Sequence, residues 1–165
     1  MLILSLLKIS IMKKLIILCL TAAISTGIFA ARKDSNSIDG AQKIMKIFHS
    51  HFPEIADPTL SRAGDFYVVY FNEEESNSSC RIYYDGNGNV VKTIRNYTAE
   101  NLNPYIRQKI EAKYQGKNIY SVTDVTDEFD HYYEVIVQNE KAMWVLHVNN
   151  DGTSSIKNKY KRAAM

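Results

Sequence analysis

The chain is poor in cysteine, in net charge and in catalytic signatures, and each shortage removes a class of protein. Its two cysteines are Cys19 and Cys80. Cys19 lies in an apolar N-terminal run, so removal of that run leaves Cys80 alone and no intrachain disulfide can form. The fold must then be held by its core, with Cys80 expected as a buried small hydrophobe on a strand. No nucleophile sits in a recognisable elbow and no glycine-rich loop leads from a strand into a helix. Catalysis is not expected, and no catalytic residue is nominated.

Metal chemistry is just as thinly represented. The pair His49-x-His51 would suit zinc on a strand, but it falls on a predicted helix, where residues two apart diverge. His131 and His147 supply no matching motif. Asp85-x-Asn87-x-Asn89 starts like a calcium loop, yet Val90 stands where the loop needs glycine and Asn96 where it needs a bidentate glutamate. It reads as a hairpin turn, and the acidic run Glu73 to Glu75 reads as a solvated one. No metal or cofactor is expected.

The charge argument depends on the N-terminus. Lys13 and Lys14 precede an apolar stretch, Leu15 to Leu20, and small residues follow, which is the pattern of a secretory signal over residues 1–31. Met12 gives its most compact start, and Ala30 or Ala31 its cleavage point; an uncleaved anchor is the competing reading. Removing that segment takes three lysines from the 20 basic residues and leaves 17 against 18 acidic, a net of −1. Such a chain gives no support to nucleic-acid or anionic-membrane binding. Residues 32–37 are expected as a flexible leader, and residues 38–160 as one domain, periplasmic or secreted, with no membrane span after cleavage.

What the sequence does carry is strand and turn chemistry. Asp39 with Gln42 forms a capping-box pattern, and Ala41, Ile44, Met45, Phe48 and Phe52 make one apolar helical stripe that Pro53 ends. The segment Glu54 to Gly64 holds a short edge strand at most. Strands are expected over Phe66 to Phe71, Cys80 to Tyr84 and Val90 to Arg95, with Asp85-Gly86-Asn87-Gly88 as the tight turn between the last two. Asn103 then caps a second helix with Pro104 in its first turn, Ile106, Ile110 and Tyr114 on its apolar stripe, and Gly116 closing it. Four more strands follow: Ile119 to Thr126, Tyr132 to Gln138, Met143 to Val148, and a weak one over Thr153 to Lys159.

Phe52 and Tyr114, Tyr67 and Tyr133, and Gly88 and Gly152 are offset by 62, 66 and 64 residues. That near-constant spacing predicts an α+β fold built as a tandem repeat, 38–97 and 98–160. Each unit would have one helix plus three to four antiparallel strands, with the helices on one face of the sheet. The second unit holds Tyr132-Tyr133-Glu134-Val135, Ile119-Tyr120-Ser121-Val122 and Asn150-Asp151-Gly152, echoed by Tyr83-Tyr84-Asp85-Gly86-Asn87-Gly88. In these residues the chain resembles the PepSY-like family of secreted bacterial domains, related in description to beta-lactamase inhibitory protein. The resemblance implies a tandem helix-plus-sheet architecture, no catalytic set, and a role in binding or inhibiting other proteins, especially extracytoplasmic proteases.

In the last hairpin, alternation sends Tyr132, Glu134, Ile136, Met143, Val145 and His147 one way and Tyr133, Val135, Val137, Trp144, Leu146 and Val148 the other. The only tryptophan, Trp144, and its neighbours Tyr132, Met143 and His147 are nominated as binding residues. The expected role is a non-catalytic binding module whose partner is an extracytoplasmic protein. The alternative is a carrier of a small apolar ligand or metal ion on the sheet face.

Overall fold

A computed structural model describes residues 37–162. The expected signal, 1–31, lies outside the described residues, as do residues 32–36 of the expected leader. Helix α1 spans Ser37–His51. It begins two residues before the capping-box reading placed it, so Asp39 sits in its first turn, where a carboxylate suits the helix dipole. Ile44 and Phe48, one turn apart, are completely buried, and Pro53 follows soon after the last helical residue.

Strands β1 (Thr59–Ala63), β2 (Phe66–Glu73), β3 (Ser78–Tyr84) and β4 (Val90–Tyr97) follow, then a 3₁₀ turn at Ala99–Asn101. Helix α2 spans Pro104–Lys113, with the Asn103 side chain accepting from the Tyr105 N–H at 2.9 Å and Pro104 in the first turn. The chain closes with β5 (Asn118–Asp127), β6 (His131–Gln138), β7 (Ala142–Asn149) and β8 (Ser154–Lys161). Segment 54–64 thus does hold a short edge strand, β1.

The expected tandem repeat is corrected by the sheet. The eight strands among the described residues form one antiparallel sheet in sequence order, β1 to β8, and the same residues hold two α-helices. The proposed boundary at residues 97–98 is bridged by continuous pairing of β4 with β5, from Lys92 opposite Asp127 to Tyr97 opposite Val122. The constant offset marks recurring turn chemistry along a meander, and pairing through the boundary makes one sheet of what the spacing divides into two units.

Register shows which side chains share a face. Phe71, Cys80, Arg95, Asp124, Tyr133 and Val148 stand opposite one another in one row across β2 to β7. Ile44 and Phe48 of α1 pack with Val69, Phe71, Cys80, Ile82 and Tyr84 at one end of this face. Ile106 and Ile110 of α2 pack with Val122, Val135, Val137 and Leu146 at the other. Both helices therefore lie on the same face. No described element lies over the opposite one.

Candidate functional site

The open face is built by the odd-even alternation of β4 to β8. Three rows can be read from the register: Ile94, Val125, Tyr132, Asn149; then Asn96, Thr123, Glu134, His147, Ser155; then Ser121, Ile136, Val145, Asn158. Gln138, Met143 and Tyr160 extend the same face toward one end. Ile136, Met143 and Val145 are partly exposed, and Tyr160 is 53% exposed. Aliphatic and aromatic surface left accessible on a sheet, rimmed by polar groups, is the composition of a recognition patch.

Polar contacts stiffen its centre. The Tyr132 and His147 rings lie 4.8 Å apart between centroids. Lys157 reaches across β7 to Glu134 at 2.5 Å, and that hydrogen bond raises the lysine's proton affinity. Thr123 donates to Asn96 Oδ1 at 2.8 Å. Beyond the sheet, the β5–β6 turn carries Phe129, 91% exposed, in a loop fixed by two backbone N–H groups, those of Phe129 and Asp130, both donating to Asp127 Oδ1 at 3.0 Å. An apolar ring held out on a stiff turn adds to the accessible apolar surface at little entropic cost on binding.

Of the four nominated residues, the structure brings Tyr132 and His147 into ring contact and puts Met143 on the same face. Trp144 is on the other face, buried beside Val137, with the ammonium groups of Lys117 and Lys159 at 4.7 and 5.3 Å from its ring. The four do not make one constellation. Ile136 and Val145 belong with the first three, a membership that period-two alternation already signals, whereas partly exposed Ile94 joins them only through the β4–β5 pairing, and Val125 of the same row is buried.

The helix-side face holds a second polar group that composition hides. Glu73 is not a solvated turn residue. It pairs with Arg95, and Ser76 and Ser78 donate to the same Oε2 at 2.8 and 3.1 Å. Next to Arg95, Asp124 accepts from Tyr97 at 3.2 Å and from His131 Nε2 at 2.9 Å. The bond to Asp124 raises the His131 pKa, while burial and then Asp124 raise those of Tyr97 and Tyr133. Burial, helped by Glu73, pushes the Cys80 thiol up to about 12. A thiol so protonated is a packing group, which agrees with its sequence reading. The seam lies where the packing of one helix gives way to that of the other, and its bonds are mutual. Among the described residues no cluster of His, Cys, Asp or Glu could hold a metal.

No family model matches the chain, and no curated protein does. Solved structures do match. A DUF2874 family protein from Bacteroides ovatus aligns over 78% of this chain and 89% of its own with a TM-score of 0.57 and 13% identity. A BLIP-like protein from Bacteroides fragilis aligns over 80% and 89%, with a TM-score of 0.55 and 16% identity. A candidate periplasmic protein from Bacteroides eggerthii aligns over 77% and 90%, at 0.57 and 13%. At such identities the likeness is one of fold. The fold is thus similar to that of a BLIP-like protein, and none of these three structures carries the PepSY-like label. Among the described residues no helix is long and apolar enough to cross a membrane.

Proposed function

We propose that the chain is a non-catalytic, extracytoplasmic binding module that engages a protein through the open face of its sheet. One observation carries this reading: Tyr132, Ile136, Met143, Val145 and Tyr160 share a face that no described helix or strand covers. A sheet face with this much partly exposed apolar surface and a fixed polar centre is suited to a flat or convex protein partner. The names of the structural neighbours, BLIP-like and candidate periplasmic, lend support to a partner in the cell envelope and to an inhibitory or regulatory role of the kind the PepSY-like resemblance implies.

The test is capture of that partner from the envelope fraction with the tagged chain, compared with Val145→Glu on the open face and Gln108→Glu on the exposed side of α2. The reading expects one protein to co-purify with the wild type and with Gln108→Glu and to be lost with Val145→Glu, all three giving the same circular dichroism. Equal retention by both variants, or no co-purifying protein, would sink it.

A further inference from the structure

The two edges of the sheet differ. β1 is five residues long and follows Pro58, which cannot donate to a ladder. β8 is eight residues long, and all but its first residue are exposed. Its sequence, Ser-Ser-Ile-Lys-Asn-Lys-Tyr-Lys, contains no acid. Only β7 pairs with it among the described residues, so its outer backbone N–H and C=O groups form an unfilled row.

Cations gather along this edge. Lys159 and Lys161 stand on the helix side, opposite Trp144 and Ala142. Lys117 shares the Trp144 ring with Lys159, and Lys113 donates to Ser154 Oγ at 3.2 Å. Ion pairing does not cancel this set: Glu134 is matched by Lys157, and the Asp151 carboxylate is taken up by the N–H and hydroxyl of Thr153, at 2.8 and 2.7 Å. Ile156 and Tyr160, each more than half exposed, give the edge apolar contact points on its two sides.

We propose that the outer edge of β8 takes an extended, acidic segment of a partner protein as a ninth antiparallel or parallel strand. Charge selects the occupant. A second copy pairing β8 to β8 would set lysine against lysine, and like charges across a ladder are destabilising. The chain's own N-terminal residues 1–36 are no better, because they carry Lys8, Lys13, Lys14, Arg32 and Lys33 against Asp34 alone. Lysine on an edge strand also guards against indiscriminate pairing. The same lysines that repel basic or neutral edges admit a strand whose alternate residues are carboxylates, with the ladder supplying affinity and the lysines selectivity. This surface adjoins the open face along β8, and Tyr160 belongs to both.

Trp144 lies beneath the lysines and reports directly. The probe is a synthetic peptide of alternating glutamate and valine, titrated against the full chain by tryptophan fluorescence. A saturable change is expected, weakened at least about tenfold in roughly 1 M salt, where the Debye length is only about 3 Å. It should be weakened by a similar factor in Lys159→Glu/Lys161→Glu, and unchanged in Arg62→Glu, a charge reversal on β1 at the opposite edge of the sheet. The decisive control is the same peptide N-methylated at every residue, which keeps the charge but removes the N–H donors from both of its edges, so that it cannot complete the ladder. Binding should fall at least about tenfold, a loss of roughly 1.4 kcal/mol or more. Equal binding of the methylated peptide would reduce the effect to diffuse charge attraction and overturn the proposal, as would no binding of the parent peptide. Either failure leaves the open-face reading standing, since capture of an envelope partner by that face does not require a ninth strand.

Discussion

At the scale of single residues, the seam between the two helix cores is where chemistry and stability meet. His131 donates to Asp124, beside Asp130 and against the Tyr133 ring, and its pKa is raised above that of a free histidine. A pKa higher in the folded state means the interaction adds stability fully below the unfolded value of about 6.5 and loses it as pH rises through the folded value. The His131 side chain is 37% exposed, so solvent screening keeps the effect modest. The stability advantage of wild type over His131→Gln, read from urea denaturation, should therefore shrink from about pH 6 to alkaline pH. A constant difference would show that the bond to Asp124 does not favour the charged ring. None of this was legible in the sequence. Glu73 and Arg95 are 22 positions apart, and Glu73 looked like part of a wet acidic run because burial of a turn residue depends on a distant strand.

At the scale of elements, turns and caps carried most of the legible information. Asn103-Pro104 announced α2, and the glycines of the two Asn/Asp-Gly turns announced β3–β4 and β7–β8, because these signals are local and each has a steric cause. Gly88 and Gly152 do sit at positive φ, +93° and +78°. A Cβ at Gly88 would also come within 2.3 Å of Ile47 Cδ1, so the tip of that partly exposed side chain would have to turn aside. Gly64, at φ +61°, has nothing within 4 Å. Gly64→Ala should cost about 1 kcal/mol from the left-handed backbone alone, whereas Gly88→Ala should cost more than that, because Ile47 must also repack. Urea midpoints of the two variants check this. Equal losses would mean that the Ile47 side chain turns aside at no cost. The start of α1 was the least legible boundary, as Asp39 reads equally well as a cap or as a first-turn acid.

At the scale of the whole molecule, the sheet makes one cooperative body of residues that spacing alone divides in two. Six consecutive pairs join β4 to β5, and Tyr97 of β4 is buried in the core built around α2. Pairing between strands separated by the 3₁₀ turn and α2 is a long-range event, so local periodicity could place both strands without showing that they are neighbours. Cooperativity follows from it. Labelling of Cys80 in β3, which is protected by burial in the folded state, and fluorescence of Trp144 in β7 should report the same urea midpoint. Two separated transitions would restore a division at residues 97–98. The open face is a product of this continuity too, because its row from Ile94 to Asn149 runs through the β4–β5 pairing. Alternation within the last hairpin marked half of that surface; the other half depends on the register between distant strands.

The binding role proposed for that surface is tested most directly by placing a photo-activatable cross-linking residue at Val145, and separately at Gln108, in the full chain in the cells that produce it. Irradiation should join Val145 to one envelope protein as a discrete adduct while Gln108 gives none. Adducts of equal yield from both positions, or none from Val145 with the chain folded and present, would contradict the assignment of the open face as the interface.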